Sequence, residues 1–152
     1  KIEDILDKYK KIFDQSWLTM MSMKLNLDTN YNSEEIVKEF LDLMHIYKLD
    51  YTNTFIEIEN NQIQKHYFMK DWYIKLKERR KLNNNKINSE IISNPKIIPR
   101  NHLVEKALRD SEEGNYFLMN KLLTNLSNPY SNDVDSELRR GPSEEEKVYE
   151  TF

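Results

Sequence analysis

The sequence contains no cysteine, only two glycines and only four prolines. Without cysteine, disulfide bonds, thiolate catalysis and cysteine-ligated zinc are excluded within these residues. Gly114 and Gly141 are too few and too far apart to build a glycine-rich phosphate loop. No apolar run approaches the roughly 20 residues of a membrane span, and the first residues do not resemble a signal peptide. We therefore expect a soluble, cytoplasmic protein without a membrane partner.

The residues that are present are typical of a helical protein. Of the 152 residues, 38% are hydrophobic, 11% aromatic and 32% charged, and the formal net charge is −3. A chain of this length has the size of one domain, and its aromatic content predicts a core that depends on Trp, Tyr and Phe. The sequence opens at Lys1 inside an amphipathic pattern without a preceding cap. We therefore expect a piece of a longer protein.

Apolar residues in the first half of the chain recur at three- and four-residue steps, which predicts amphipathic helices. The first stripe predicts a helix that ends near Leu27, before the turn residues 28–32, and comprises Ile2, Ile5, Leu6, Tyr9, Ile12, Phe13, Trp17 and Met20. The second stripe follows Asn32 or Ser33 as N-cap and comprises Ile36, Val37, Phe40, Leu41, Met44 and Tyr47. Together with the later segments, these stripes predict an all-α bundle of about six helices.

Two further helices are predicted before residue 82. Asp50 or Thr52 can cap a short third helix, although the alternation of Phe55, Glu57 and Glu59 also fits a strand. Helical spacing then continues towards a basic end at 77–81, through Ile63, Tyr67, Phe68, Trp72, Tyr73 and Leu76. The asparagines at 83–85 indicate a polar break, and residues 87–92 predict one more turn.

A helical hairpin is predicted between two breaks that contain proline. Pro95 and Pro99 prevent any helix from crossing residues 94–99, so a helix can begin at about Arg100. Its apolar face comprises Leu103, Val104, Ala107 and Leu108. Gly114 lies where a left-handed residue ends a helix. The apolar stripe of the second hairpin helix precedes the break at 128–130 and comprises Tyr116, Met119, Leu122, Leu123 and Leu126.

The residues of this hairpin resemble the C-terminal signature of the selenoprotein O family, kinase-like protein adenylyltransferases that are also called the YdiU family. The matching residues are Asn94, Pro95, Lys96, Arg100, Asn101, Leu103, Ala107, Gly114, Leu122, Leu123, Leu126, Pro129 and Tyr130. Upstream landmarks agree in the same order: Trp17, Met20, Lys24, Leu25, Leu27, Leu43, Met44, Asp50, Tyr51 and Thr52. Asn26 replaces a glycine of the family pattern. The ordered co-occurrence, rather than any one string, carries the resemblance.

The resemblance implies that a nucleotide-binding, kinase-like domain lies upstream of Lys1. It implies AMP transfer from ATP, with Mg²⁺, to hydroxyl side chains of proteins, in the cytoplasm or in the mitochondria of a eukaryote. Residues 1–130 would be the helical C-terminal domain, which packs against that upstream domain. The alternative is a free-standing helical module that binds another protein through an exposed apolar face.

The tail at 131–152 has no helical periodicity, and it contains seven acidic and three basic residues. Such a sequence cannot bury enough apolar surface to order itself independently. We therefore expect an extended or disordered acidic tail. Members of the resembled family commonly end in a cysteine- or selenocysteine-bearing tail, whereas this sequence stops at Phe152 with neither.

We assign no catalytic, cofactor-binding or metal-binding residue to this chain. The three histidines lack the spacing of a metal site, and a calcium-loop pattern that starts at Asp28 has Ser33 in place of its required glycine. The basic stretch at 65–86 has eight Lys or Arg and two acids. Its interleaved aromatics could stack nucleic-acid bases, but their helical spacing favours a core face and a solvated face, so no nucleic-acid partner is expected.

A structural signature remains, formed by Asn94, Pro95, Lys96, Arg100, Asn101, Gly114, Pro129 and Tyr130. Within it, Lys96, Arg100 and Asn101 are donors beside a helix start. They could face a phosphate or tie the proline-bounded turn to neighbouring carbonyls and carboxylates. The structural role is the favoured interpretation.

Overall fold

The computed structural model describes residues 2–27, 33–82, 94–143 and 146. In these ranges the chain forms six α-helices and no strand, so the predicted all-α class is confirmed. The helices are α1 (Ile2–Lys24), α2 (Glu34–Ile46), α3 (Tyr51–Glu59), α4 (Lys70–Leu82), α5 (Asn101–Glu112) and α6 (Phe117–Leu126). The chain divides into two compact units, residues 1–93 and 94–152. The predicted domain boundary at residue 130 stays a prediction.

The first helix ends at Lys24 rather than near Leu27 because the backbone turns left-handed at Asn26, where φ is 52°. The N–H of Leu27 donates to the carbonyl of Ser22 at 2.8 Å, and that of Asn26 donates to the carbonyl of Met23 at 2.9 Å. These are the two bonds of a Schellman C-cap, which favours glycine. Asn26 therefore occupies the conformation that explains a glycine at this position in the family pattern. The predicted turn at 28–32 lies outside the described residues.

The helix predicted after residue 50 is confirmed, and the strand alternative is wrong. The Asp50 carboxylate accepts from the backbone N–H of Asn53 at 2.8 Å, so it caps α3 as an Asp N-cap does. Helix α2 follows Ser33, one of the two predicted N-caps, but the Ser33 side chain makes no capping hydrogen bond. The other, Asn32, lies outside the described residues.

The continuous helix predicted from Ile63 is wrong in its first part. Asn61 has φ of 57° and ends α3, and two 3-10 turns, Ile63–Lys65 and Tyr67–Met69, precede α4. His66 between them has an extended backbone, with ψ of 104°, which no α-helix can include. The predicted break at 83–85 and turn at 87–92 lie outside the described residues.

The core of residues 1–93 is built on aromatic rings, as the composition predicted. The Phe40 ring lies 4.8 Å from the Trp72 ring and 5.2 Å from the Phe55 ring, measured between centroids. Tyr73, also fully buried, donates its hydroxyl to the side-chain oxygen of Asn61 at 2.6 Å. Met21 and other aliphatic side chains complete this core.

Residues 94–143 contain the predicted helical hairpin of α5 and α6. Gly114 has φ of 85°, and the N–H of Asn115 donates to the carbonyl of Asp110 at 2.8 Å, which closes the end of α5. A second core fills the space between the helices and comprises Ile97, Leu103, Ala107, Leu122, Val134 and Leu138. Val134 and Leu138 come from the acidic tail, whose described part packs on the hairpin and includes the 3-10 turn Ser136–Arg139.

The predicted apolar faces of the hairpin are partly wrong. Leu108 is 47% exposed and Leu123 is 60% exposed, and Tyr116 also faces outward. His102 is buried beside Leu103 instead. In α6 the half-buried side chains that join Leu122 in the core are Leu118, Met119 and Leu126. The inward faces are therefore narrower than the apolar stripes of the sequence.

Candidate functional site

The predicted signature residues lie around the start of α5. The extended segment 94–100 leads into the helix, and Asn94, Lys96 and Ile97 on it are buried. The backbone N–H of Lys96 donates to the carbonyl of Pro129 at 2.7 Å. The entry and the exit of the hairpin are thereby joined, although 33 residues separate them in sequence. This bond therefore fixes the two ends of the hairpin to each other and acts as its structural anchor.

Helix α5 begins on Arg100, whose carbonyl accepts from the N–H groups of Leu103 and Val104, each at 3.0 Å. Arg100 itself is half-buried, Asn101 is exposed in the first turn, and Tyr130 is 49% exposed beyond α6. The signature residues are thus divided between the buried segment before α5 and the exposed first turn of α5. The structure does not gather Lys96, Arg100 and Asn101 around one described cavity, because Lys96 does not line the pocket that the other two share.

An open pocket of about 350 Å³ lies at this helix start. It is lined by Ile98, Pro99, Arg100, Asn101, His102, Pro142 and Glu146. Two of the lining residues come from the acidic tail, which sequence reasoning had left without a site. The pocket therefore depends on both the hairpin and the tail.

An arginine and a glutamate within the tail pair with each other beside the pocket. The Arg140 guanidinium donates to both carboxylate oxygens of Glu146, at 2.6 and 2.7 Å, which is a bidentate charge-assisted pair. The backbone N–H of Ser143 donates to the same carboxylate at 2.8 Å. These bonds hold the pKa of Glu146 well below its usual range. The spacing Ser143-x-x-Glu146 is that of a capping box, which was the signal in the sequence that could have revealed it.

His102 is the titratable group that the sequence did not single out. It is 3% exposed, and its Nε2 atom is buried without a hydrogen-bond partner among the residues that the structure describes. Burial lowers the pKa of His102, and Arg140 and Arg100 lower it further, whereas Glu146 raises it. A neutral imidazole at the pocket wall can accept or donate one hydrogen bond. A lone histidine on a helix carries no spacing pattern, so no sequence signal marked it.

The basic stretch at 65–82 is not arranged as a stacking platform. Trp72 and Tyr73 are buried in the core, and the indole N–H of Trp72 donates to the carbonyl of Ile36. Lys75 donates to both oxygens of Glu39 at 2.9 Å, and Arg80 donates to the Leu25 carbonyl. Trp72 and Tyr73 thus belong to the predicted core face, whereas Tyr67 is 81% exposed and does not. The expected absence of a nucleic-acid partner stays a prediction.

Within the described ranges, no group of three or more His, Asp or Glu side chains could hold a metal ion. In that part of the chain, no helix is long and apolar enough to cross a membrane.

The chain is similar to several curated bacterial proteins named protein nucleotidyltransferase YdiU. It is 34% identical to one from Clostridium perfringens over 97% of this chain, which is 32% of that relative. It is 33% identical to one from Brevibacillus brevis, over 99% of this chain and 33% of the relative. A relative from Pelagibacter ubique is 34% identical, with coverage of 98% and 33%. No family model and no solved structure matches.

The chain therefore spans about a third of the length of these relatives. The family resemblance carried by the motifs is confirmed as a partial match: this chain is homologous to about a third of a YdiU protein nucleotidyltransferase.

Proposed function

We propose that this chain is a structural, helical part of a protein nucleotidyltransferase, and that the complete protein transfers AMP from ATP to hydroxyl side chains of other proteins. The observation that carries the proposal is the 34% identity over 97% of this chain to a relative that is named for nucleotidyl transfer. Because the chain spans 32% of that relative, most of the enzyme lies outside it.

In this reaction the oxygen of a protein hydroxyl attacks the α-phosphorus of ATP. The new P–O bond forms while the bond to the oxygen that bridges to the β-phosphate breaks, so that pyrophosphate leaves and a base takes the hydroxyl proton. Chemistry of this kind needs a lysine at the phosphates and Asp or Asn side chains that hold Mg²⁺. We assign those groups to a kinase-like domain outside the 152 residues.

The structural role of this chain is supported by where its signature lies. Lys96 and Ile97 are buried, and the backbone of Lys96 anchors the end of the hairpin at Pro129. The large rings of Trp72 and Tyr73 are likewise engaged in a core. Residues used in this way position and stabilise an enzyme rather than contact its substrate.

The test compares the complete protein with residues 1–152. Each is incubated with Mg²⁺, candidate substrate proteins and ATP labelled either at the α- or at the γ-phosphate. We expect α-label on protein with the complete enzyme, no γ-label on protein, and no transfer by residues 1–152. Transfer of γ-label would identify a kinase, and α-label transfer by the fragment alone would place a catalytic site within this chain.

The second candidate, a free-standing module that binds a separate protein, is favoured by one observation, the exposed apolar face of α1. The two functions differ in what covers that face. A gene that encodes no further catalytic domain beside these residues would favour the module, and the α-label assay on the gene's full product separates the two.

A further inference from the structure

Helix α1 is anchored at one end only. Every side chain from Ile2 to Trp17 is exposed, whereas Leu18, Met21 and Leu25 pack into the core of residues 1–93. About 16 residues, or roughly 24 Å of helix at 1.5 Å per residue, therefore project without burial in the described structure. In proteins most of the stability of a helix comes from the packing of its amphipathic face, so we expect α1 to pack against a surface.

The exposed part of α1 has one continuous apolar face, which we call the α1 stripe. It comprises Ile2, Ile5, Leu6, Tyr9, Ile12, Phe13, Trp17 and Met20, whose exposed fractions range from 36% to 76%. At 100° per residue, the stripe lies roughly opposite the face that carries Leu18, Met21 and Leu25. The stripe therefore faces away from the core of residues 1–93 and is accessible to another protein surface.

The residue types of the stripe argue against a second copy of α1 as its occupant. The seam of a long two-stranded coiled coil prefers Leu, Ile or Val. The middle of the stripe instead carries three large aromatics, Tyr9, Phe13 and Trp17. Such a stripe fits a globular surface with pockets, where aromatic anchors dominate binding.

The polar face of α1 argues against a membrane as the occupant. Between Ile2 and Met20 there are four acidic and three basic residues. Helices that lie on anionic lipid carry an excess of Lys and Arg on the polar face. A polar face with nearly balanced charge is typical of a helix that packs on a protein surface and exposes its opposite face to water.

We infer that the α1 stripe docks into an apolar groove on the part of the same polypeptide that lies outside these 152 residues. This inference rests on the proposed function, because the relatives have about two thirds of their length beyond the matched region. The groove would be apolar along roughly 27 Å of helix, with pockets for the rings of Tyr9, Phe13 and Trp17. The α1 stripe is then the interface between this chain and the rest of the enzyme.

The experiment measures amide hydrogen exchange of α1 in the complete protein and in residues 1–152. We expect exchange within residues 3–16 to be slower by about tenfold or more in the complete protein, since docking turns a frayed helix into a protected one. Equal exchange rates in the two proteins would overturn the inference. This comparison needs no variant protein.

Matched substitutions locate the effect on the stripe. Phe13→Asp in the complete protein should restore fast exchange in α1, whereas Gln15→Asp, with the same charge change on the polar face, should leave exchange slow. Light scattering is measured alongside. If the wild-type complete protein is a dimer that Phe13→Asp dissociates, a second copy covers the stripe and the inference is wrong.

The α-label assay keeps this inference distinct from the proposed function. A complete protein that protects α1 but transfers no AMP would refute the proposed function and leave the interface standing. A complete protein that transfers AMP while the amides of α1 exchange freely would refute the proposed interface and leave the proposed function standing.

Discussion

The indole N–H of Trp72 donates to the backbone carbonyl of Ile36, with 2.9 Å between Nε1 and the oxygen. Both residues are buried, and the bond links α4 to α2 across 36 residues of sequence. The Phe40 ring, one turn along α2, stacks on the same indole. The Trp72 side chain therefore contacts α2 in two ways, through a hydrogen bond to its backbone and through a ring on the next turn.

Replacing Trp72 with Phe should lower the free energy of unfolding by about 1–3 kcal/mol, because the indole bond to Ile36 is lost and the smaller ring leaves part of the core unfilled. Urea midpoints of the chain measure the change. Tyr67→Phe, at a position that is 81% exposed, should stay within about 0.5 kcal/mol of the wild type. Equal losses for the two variants would contradict the role given to the indole bond.

Leu103→Ala should cost about 2–5 kcal/mol, since Leu103 is 5% exposed in the hairpin core. Leu108→Ala should cost much less, within about 0.5 kcal/mol, because Leu108 faces outward. The sequence pattern had assigned both to one buried face. Thermal unfolding of the two variants ranks them, and a larger loss for Leu108 would show that another surface covers it.

Gly114→Ala should lower stability by about 1–2 kcal/mol, since φ of 85° is a left-handed conformation that strains a side-chain-bearing residue. Steric contact is not the cause, because a Cβ at Gly114 would meet nothing within 4 Å. Gly141→Ala also has open space and no left-handed φ. We expect it to be neutral or to stabilise by up to about 1 kcal/mol through the unfolded chain, and a shared loss at both positions would argue against strain.

The stability of residues 94–152 should fall as pH drops below about 6.5, the ordinary pKa of histidine. Burial lowers the pKa of His102 in the folded state. The unfolded chain therefore binds the proton first, and stability rises with pH through this window. Unfolding free energies measured between pH 7.5 and pH 5.5 should show this slope in the wild type and a smaller slope in His102→Leu. An unchanged slope in the variant would assign the pH dependence to other groups.

Arg100→Ala should lower the stability of the chain by about 1–3 kcal/mol if this half-buried side chain supports the start of α5. In the complete enzyme, AMP transfer per folded molecule should then be unchanged. Thermal unfolding of the chain and the α-label assay on the complete protein, each with the same substitution, measure the two effects. If the substitution leaves the chain stable but abolishes AMP transfer by the complete enzyme, Arg100 serves the substrate rather than the fold.

Local chemistry was predictable from the sequence. Asp50 caps α3 and Gly114 ends α5 because each of these roles depends on one residue and its immediate neighbours. The proline-bounded segment before Arg100 is non-helical for the same reason. Such features need no knowledge of what lies across the molecule.

The choice between adjacent apolar residues was not predictable. Leu122 and Leu123 are neighbours with the same side chain, yet the first is buried and the second is exposed, because the crossing of α5 and α6 decides which one points inward. His102 was missed since the tail residues that share its pocket, Pro142 and Glu146, follow it by some 40 positions. The apolar residues of a stripe occupy a wide arc of the helix surface, and tertiary packing decides which of them are buried.

Leu138 imposes an order on the folding of residues 94–152 during synthesis. Helices α5 and α6 are adjacent in sequence and can pair as soon as both have left the ribosome, but the core between them stays incomplete until Val134 and Leu138 have followed. Since domains fold as their residues emerge, a nascent chain that has emerged only as far as Tyr130 would hold an open hairpin with its apolar interior exposed. The time that Val134 and Leu138 take to follow the hairpin out of the ribosome therefore sets how long that surface is available to chaperones.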